Sequence, residues 1–395
     1  MTGDLQFVNL LIVAVVAVVA PLLAAVLPIR IPSVVLEIVG GIVLGPSVLG
    51  WVSVDDPLTV LALVGLAFLL FLAGLEIDLR GLRGDLLKLP LAGFAITLVL
   101  GLGLGVAADS VGWVSSPLFL AVAMGATSLG IVAPLLKDTG QAARPLGQFT
   151  LAGATIADFS TILLLSLVFA ESGGSTTSRL LSVGFFVLFA LAVAVALARG
   201  NRSMGIDKLL VRLQDTTAAI RVRIAVALLL AFVALAARVG VETILGAFVA
   251  GAVLGLVDTD TTTHPHFRLK LESIGFGFVV PVFFVTSGLR FDLESLLDDP
   301  AALLRVPAFL AAILLVRGVP ALLYARVIGR RHAITAGLLQ ATSLPFIVTA
   351  TQIGVAVDAV SPVSAAALVS AGLLSTVVFP TIASARLAGS LTPER

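Results

Sequence analysis

Long apolar runs dictate what this chain can become. From Leu5 to Leu27 no residue is charged, and comparable runs recur along the whole sequence. A bilayer core of about 30 Å needs roughly 20 such residues per helix. Lipid offers no partner to a bare peptide group, so each run must satisfy its own hydrogen bonds. The runs are continuous and rich in Leu, Val and Ala. They do not alternate in ~10-residue segments, which argues against a β-barrel. Of 395 residues, 59% are hydrophobic and 12% charged, with a mean hydropathy of +1.16. Soluble domains average about 45–50% apolar and about 25% charged. The sequence therefore predicts an integral all-α protein of the lipid bilayer. Its first run follows an acidic start and lacks a small-residue cleavage site, so it reads as a retained helix and not a signal peptide.

Composition also excludes several function classes. The net charge of +1 implies no nucleic-acid partner, and the absence of Cys excludes disulfides and thiolate chemistry. No P-loop or other ATP-binding motif is present, so nothing points to a primary pump or an enzyme, and no cofactor is expected. His264 and His266 have no Cys or carboxylate cluster nearby to complete a metal shell.

Cutting at charges, Gly/Pro pairs and polar clusters gives about thirteen spans, near 5–28, 33–52, 58–76, 88–109, 116–137, 144–170, 179–198, 220–237, 241–257, 272–289, 301–325, 332–355 and 361–386. Residues 200–219 form a polar connection. Lys and Arg crowd alternate loops, at Arg80, Arg83 and Lys88, at Lys137 and Arg144, from Arg199 to Arg223, and from Arg326 to Arg331. The positive-inside rule makes these loops cytoplasmic. The N-terminus is then outside and the C-terminus inside, as an odd number of spans requires.

The two halves echo each other. "LFLAGLEIDL" (70–79) matches "FVTSGLRFDL" (284–293) at an offset of 214, and "GATSLGIVAP" (125–134) matches "QATSLPFIVT" (340–349) at an offset of 215. That offset covers an odd number of spans, so the second copy enters the membrane inverted. Inverted repeats are a signature of secondary transporters. The division expected is one membrane domain over 1–395, with a first repeat at 1–170, a linker at 171–219 and a second repeat at 220–395.

The second pair of matching segments is unsuited to continuous helix. One holds Gly125, Thr127, Ser128, Gly130 and Pro134; the other holds Gln340, Thr342, Ser343 and Pro345. Proline removes a donor and clashes with the preceding turn, glycine weakens helix, and Ser/Thr can bond to freed backbone groups. Interruptions at matching places in two repeats mark a binding site near the midplane.

Three ionisable residues fall within spans instead of at their ends: Glu37, Asp158 and Arg317. A charge at the bilayer centre costs about 2.5–3.5 kcal/mol on insertion scales. Asp158 is the only ionisable residue between Arg144 and Glu171. At 1.5 Å per residue it sits close to mid-bilayer. A carboxyl there can hold a proton or a small cation, and Asp158 is read as an exchange site. Arg317 could neutralise the opposed helix ends at the breaks, or pair with a carboxylate that has lost its cation. Glu37 is read equally as structural or functional.

At this point a resemblance is visible. "RIPSVVLEIVGGIVLGPSVLGW" (30–51), "LAFLLFLAGLEIDLRGLR" (66–83), "GATSLGIVAPLLKDTG" (125–140), "LGAFVAGAVLG" (245–255) and "FGFVVPVFFVTSGLRFDL" (276–293) resemble the monovalent cation:proton antiporters. The branch includes bacterial sodium/proton antiporters and potassium-efflux systems. The resemblance implies two inverted repeats with two crossing discontinuous helices, in a core domain beside a dimerisation domain. It implies a homodimer in a bacterial-type inner membrane, elevator-like transport of Na⁺ or K⁺ against H⁺, and room for an accessory regulatory subunit. By the same resemblance Asp158 is the ion-binding aspartate, Thr127 and Ser128 lie in the first crossover, and Arg317 is the basic residue beside the crossing. The chain departs from the family at Ala157, where Asp, Asn or Gln is usual. With that polar neighbour missing, the resemblance implies that Thr127, Ser128, Thr155, Ser160, Thr161 and backbone carbonyls complete the ion site. A single carboxylate implies electroneutral, one-for-one exchange. A gated cation channel or a sodium-coupled solute symporter on the same architecture is the alternative.

Overall fold

A computed structural model of the chain describes residues 3–27, 31–76, 83–169, 176–200, 219–257, 267–298 and 300–388. His264, His266 and much of the connection expected at 171–219 lie outside them. Among the described residues the secondary structure is almost wholly helical, with one isolated antiparallel bridge, Val114 to Val360.

The helices are α1 (Gly3–Val26), α2 (Ser33–Leu44), α3 (Asp56–Leu75), α4 (Asp85–Ser110), α5 (Pro117–Ala123), α6 (Leu129–Asp138), α7 (Pro145–Phe169), α8 (Thr176–Gly200), α9 (Ile220–Val239) and α10 (Thr243–Val257). They continue with α11 (Phe267–Leu289), α12 (Leu293–Asp298), α13 (Ala302–Ile328), α14 (Arg330–Gln340), α15 (Pro345–Ala356) and α16 (Pro362–Ala388). Among the described residues eight helices are long and apolar enough to cross a membrane, and the α14–α15 pair, bent by 46°, makes a ninth if it is one span. Shorter apolar helices include α2 and Thr243–Leu256 of α10. This is an all-helical membrane protein.

The span expected at 33–52 is helical only to Leu44. Pro46 follows Gly45, and a proline disfavours helix at the residue before it. The chain turns there, with Gly45 N–H on Gly41 O at 2.8 Å and Gly50 N–H on Gly45 O at 2.8 Å.

The chain divides into two compact units. The first comprises Met1–Ala14, Asp55–Asp78 and Ser166–Thr286. In it α3 packs along α10, and α10 packs on α8 and α9. Phe186 meets Phe232 edge-on at 5.8 Å, and Arg268 Nη2 donates to Leu75 O at 3.1 Å.

The second unit comprises Val15–Val54, Leu79–Leu165 and Ser287–Arg395. In it α4 packs on α5, α13 and α15 pack on α16, and α14 is held between α13 and α16. A buried cluster of Leu146, Phe149, Ala321, Tyr324, Ala333, Ala336 and Leu387 joins α7, α13, α14 and α16. Helix α13 is irregular at its centre, with a π-turn at Leu314–Gly318 and a 3₁₀ turn at Pro320–Tyr324. Such π-turns are common at functional sites.

Candidate functional site

Two interrupted helices meet in the second unit. Between α5 and α6 the chain runs through Met124, Gly125, Ala126, Thr127 and Ser128, all buried. Between α14 and α15 it runs through Ala341, Thr342, Ser343 and Leu344, also buried. Buried backbone outside a helix must find other partners, and here the two breaks supply them to each other. Ser128 N–H donates to Thr342 O at 2.7 Å. Leu344 N–H donates to Ser128 Oγ at 3.1 Å. Thr127 Oγ1 donates to Gln340 O at 2.8 Å. Carbonyls at the end of α14 thus meet donors at the start of α6. Opposite partial charges face each other.

Pro134, expected to help interrupt the first of these spans, lies inside α6. The break comes earlier, at Gly125–Ser128. Pro345 is at the break itself, in the first turn of α15, where a missing N–H is no loss.

Asp158 is the fourteenth of the 25 residues of α7 and is half-buried. Its Oδ1 accepts the Thr127 backbone N–H at 2.8 Å. The acid is therefore joined to the first break through the backbone, and the Thr127 hydroxyl stays available to others. Arg317, in the π-turn of α13 and 2% exposed, donates from Nη2 to Thr127 Oγ1 at 2.6 Å and from Nη1 to Thr97 Oγ1 at 3.4 Å. Thr97 in turn donates to Val316 O at 2.9 Å. Arg317 and Asp158 also interact through their charges. Arg317 Nε is buried with no partner among the described residues, and so is Ser343 Oγ.

The other expected residues are placed as follows. Thr155 and Thr161 are buried and stand three residues either side of Asp158, on the same face of α7. Thr161 Oγ1 donates to Ala157 O at 2.5 Å. Ser160 is half-buried and lies about 200° round the helix from Asp158. Gln340 and Thr342 are buried; Gln340 Nε2 donates to Tyr324 OH at 3.1 Å. Ser343 is fixed by α16: its N–H donates to Ser375 Oγ at 3.1 Å and its carbonyl accepts from the same hydroxyl at 3.0 Å. Glu37 is buried in α2.

Sequence reasoning missed Thr97, Tyr324 and Ser375. Thr97 and Ser375 are ordinary hydroxyls in apolar helices, where such residues usually bond to their own backbone. Tyr324 carried one usable signal, as the single Tyr of the chain.

The family model described as sodium/hydrogen exchanger, transmembrane, matches residues 14–388. The Bacillus subtilis protein YjbQ is 28% identical over 94% of this chain and 62% of its own length. Cation/H⁺ antiporter 18 of Arabidopsis thaliana is 30% identical over 68% of this chain and 35% of its own. The chain thus spans less than two thirds of the length of these relatives. The Na⁺/H⁺-K⁺ antiporter GerN of Bacillus cereus is 27% identical over 67% of both. Among solved structures, the sodium proton antiporter MjNhaP1 of Methanocaldococcus jannaschii superposes with a TM-score of 0.63, at 16% identity and 98% coverage of each chain. That likeness establishes the fold. On the match that takes in nearly its whole length, the chain belongs to the sodium/hydrogen exchanger family.

Proposed function

We propose that this protein is a secondary antiporter that exchanges a monovalent cation, Na⁺ or K⁺, for H⁺. The observation that carries this reading is a mid-helix carboxyl, Asp158, held by the Thr127 N–H where two broken helices meet. A carboxylate in that position takes up one proton or one alkali cation, and each excludes the other. Exchange follows when the site opens to one side at a time.

The cation ligands are Asp158 with Thr127, Ser128, Thr155, Thr161 and carbonyls of the breaks. Ser343 joins them, because a buried hydroxyl without a partner costs free energy that a polar occupant recovers. Ser160 is turned away and is left out. Arg317 offsets the charge of Asp158 in the interval when it holds neither ion. With one carboxyl and Ala157 before it, the loaded site carries the same charge with either ion. Electroneutral exchange avoids the cost of about 2.3 kcal/mol for each charge moved against 100 mV.

Alternating access here is elevator-like, with a core sliding on a dimerisation domain in a homodimer of inverted repeats (1–170 and 220–395, joined by 171–219). The recurrence of α3, α5–α6 and α7 as α11, α14–α15 and α16, in that order, supports the repeats and a count of thirteen spans. Loop charges support an N-terminus outside and a C-terminus in the cytoplasm of a bacterial-type cell. A cavity of about 280 Å³, lined by Ser287, Asp292, Val348, Thr351, Gln352 and Val369, runs along α15 from its far end to within one turn of the second break and supports access from that far end. Names of relatives that pair H⁺ with Na⁺, K⁺ or an unspecified cation support the cargo.

The test is a proteoliposome assay with a lumenal pH dye. Added Na⁺ or K⁺ should dissipate an imposed pH gradient in the wild type and leave it intact in Asp158→Asn. Asn keeps an Oδ1 to accept from Thr127, so the variant should fold and melt near the wild type. Retained exchange in Asp158→Asn refutes the mechanism. A current that follows voltage indicates a channel, and dependence on an organic solute indicates a symporter.

A further inference from the structure

A second polar assembly lies one layer away from the acid, and the exchange reading above gives it no role. Gln340 ends α14 and is 2% exposed. Its backbone carbonyl holds the Thr127 hydroxyl at 2.8 Å, while its side chain points away to α7 and α13. There Nε2 donates to Tyr324 OH at 3.1 Å and lies 3.5 Å from Phe149 O and 3.4 Å from Thr150 O on α7. Those carbonyls are helix-bonded already, and the long distances make them weak second acceptors. Tyr324 is 1% exposed, and its ring packs on Phe149 with centroids 5.2 Å apart. Tyr324 and Arg317 belong to the same helix, so α13 reaches the crossing twice: through Arg317 to Thr127, and through Tyr324 to Gln340.

Gly153 makes this arrangement possible. It lies on α7 between Thr150 and Asp158. A Cβ there would come within 2.7 Å of Tyr324 OH and would also strike Gln340 Nε2. Glycine lets the amide and the phenol close directly on the helix that carries the acid. Five residues on an unbroken helix, roughly 7.5 Å of rise, separate Gly153 from Asp158.

We infer that Tyr324, Gln340 and Gly153 form a latch that fixes the distance across the cation site and so sets which alkali cation it prefers. Tyr324 is a positioning residue. It acts through Gln340, whose carbonyl sits on Thr127, whose N–H sits on Asp158. Discrimination by size requires ligands that cannot drift apart to suit a larger ion or close on a smaller one. A latch on the second broken helix supplies that rigidity from outside the site. The inference rests on the exchange reading and adds to it the element that sets selectivity.

Tyr324→Phe removes one hydroxyl and keeps the ring against Phe149. The half-saturating concentrations of Na⁺, K⁺ and Li⁺ are compared in proteoliposomes for wild type, Tyr324→Phe and Asp158→Asn. The expected result is that the wild-type preference between its best and worst ion falls by about three- to tenfold in Tyr324→Phe, the range one neutral hydrogen bond covers in an equilibrium constant. A role confined to stability would lower all three ions' rates together and leave their ratio alone. That result, or a wild type with no preference, overturns the latch while an inactive Asp158→Asn leaves the exchange reading standing. An active Asp158→Asn removes both. Should Tyr324→Phe not be recovered from the membrane, Gln340→Met keeps the backbone carbonyl, drops the amide and reads the same ratio.

Discussion

The two broken helices began as look-alike sequences, Ala-Thr-Ser-Leu at 126–129 and again at 341–344, yet they are held differently. The first break gives its polar groups to the site: Thr127 N–H to Asp158, and Thr127 Oγ1 between Arg317 and Gln340. At the second break Thr342 Oγ1 turns back to Leu338 O at 3.3 Å, and the backbone of Ser343 is clamped at both polar atoms by Ser375. The first break turns its polar groups to the acid and the arginine; the second is tied by its backbone to α16 and leaves only the Ser343 hydroxyl without a bond among the described residues. A repeated motif therefore fixes where a helix opens, and the partners outside it decide what the opening does.

The largest effect should come from cutting the tie between the first break and α13. Arg317→Ala removes charge-assisted bonds to two threonines, and a hydrogen bond to a charged group contributes about 1.5–3 kcal/mol. The expected outcome is a melting temperature in detergent clearly below wild type together with loss of exchange. A variant that melts and transports normally would mean that α13 does not hold this break.

A paired substitution separates ligand from frame. Thr127→Val keeps the shape and the N–H on Asp158 but removes the hydroxyl. It should raise the half-saturating cation concentration by up to about tenfold and also lower the melting temperature, because Arg317 and the Gln340 carbonyl each lose a buried partner. Ser375→Ala strips the clamp from Ser343 and should cost about 1–2 kcal/mol of stability at nearly unchanged cation affinity. Exchange of those two phenotypes would invert the comparison.

How much of this was legible beforehand follows from the range over which each signal acts. Helices were readable because apolar runs and their Gly/Pro limits are local, and the breaks because Ser, Thr and Gly crowd a few residues. Even so, Pro134 pointed past the true interruption: it lies inside α6, after Gly125–Ser128 has already opened the chain. Asp158 stood out by its cost in an uncharged span. Its partners did not. Arg317 and Thr127 are 190 residues apart, and Gln340 and Gly153 meet only because α7 and α14 pack together. Thr97 and Ser375 could have been any lipid-facing hydroxyl. Ser160 looked equivalent to Thr161 in the sequence, yet it stands one residue short of it, and that rotation of about 100° puts it off the face shared by Asp158 and Thr155.

The smallest effect expected also discriminates most finely. Ser343 Oγ is wholly buried and has no partner among the described residues, an arrangement that costs stability unless something polar comes to it. Replacing it with alanine removes the unmet group, so Ser343→Ala should melt at or slightly above the wild type, by about 1 kcal/mol or less. Its backbone clamp to Ser375 is untouched by the change. A frame residue would show nothing further. A cation ligand would show a loss of affinity of about two- to fivefold at unchanged or improved stability, since one neutral oxygen of several is removed from the shell. That opposite movement of stability and affinity would show that the second break also reaches into the site. Unchanged affinity would return Ser343 to the frame and leave the first break, with Asp158, to hold the ion alone.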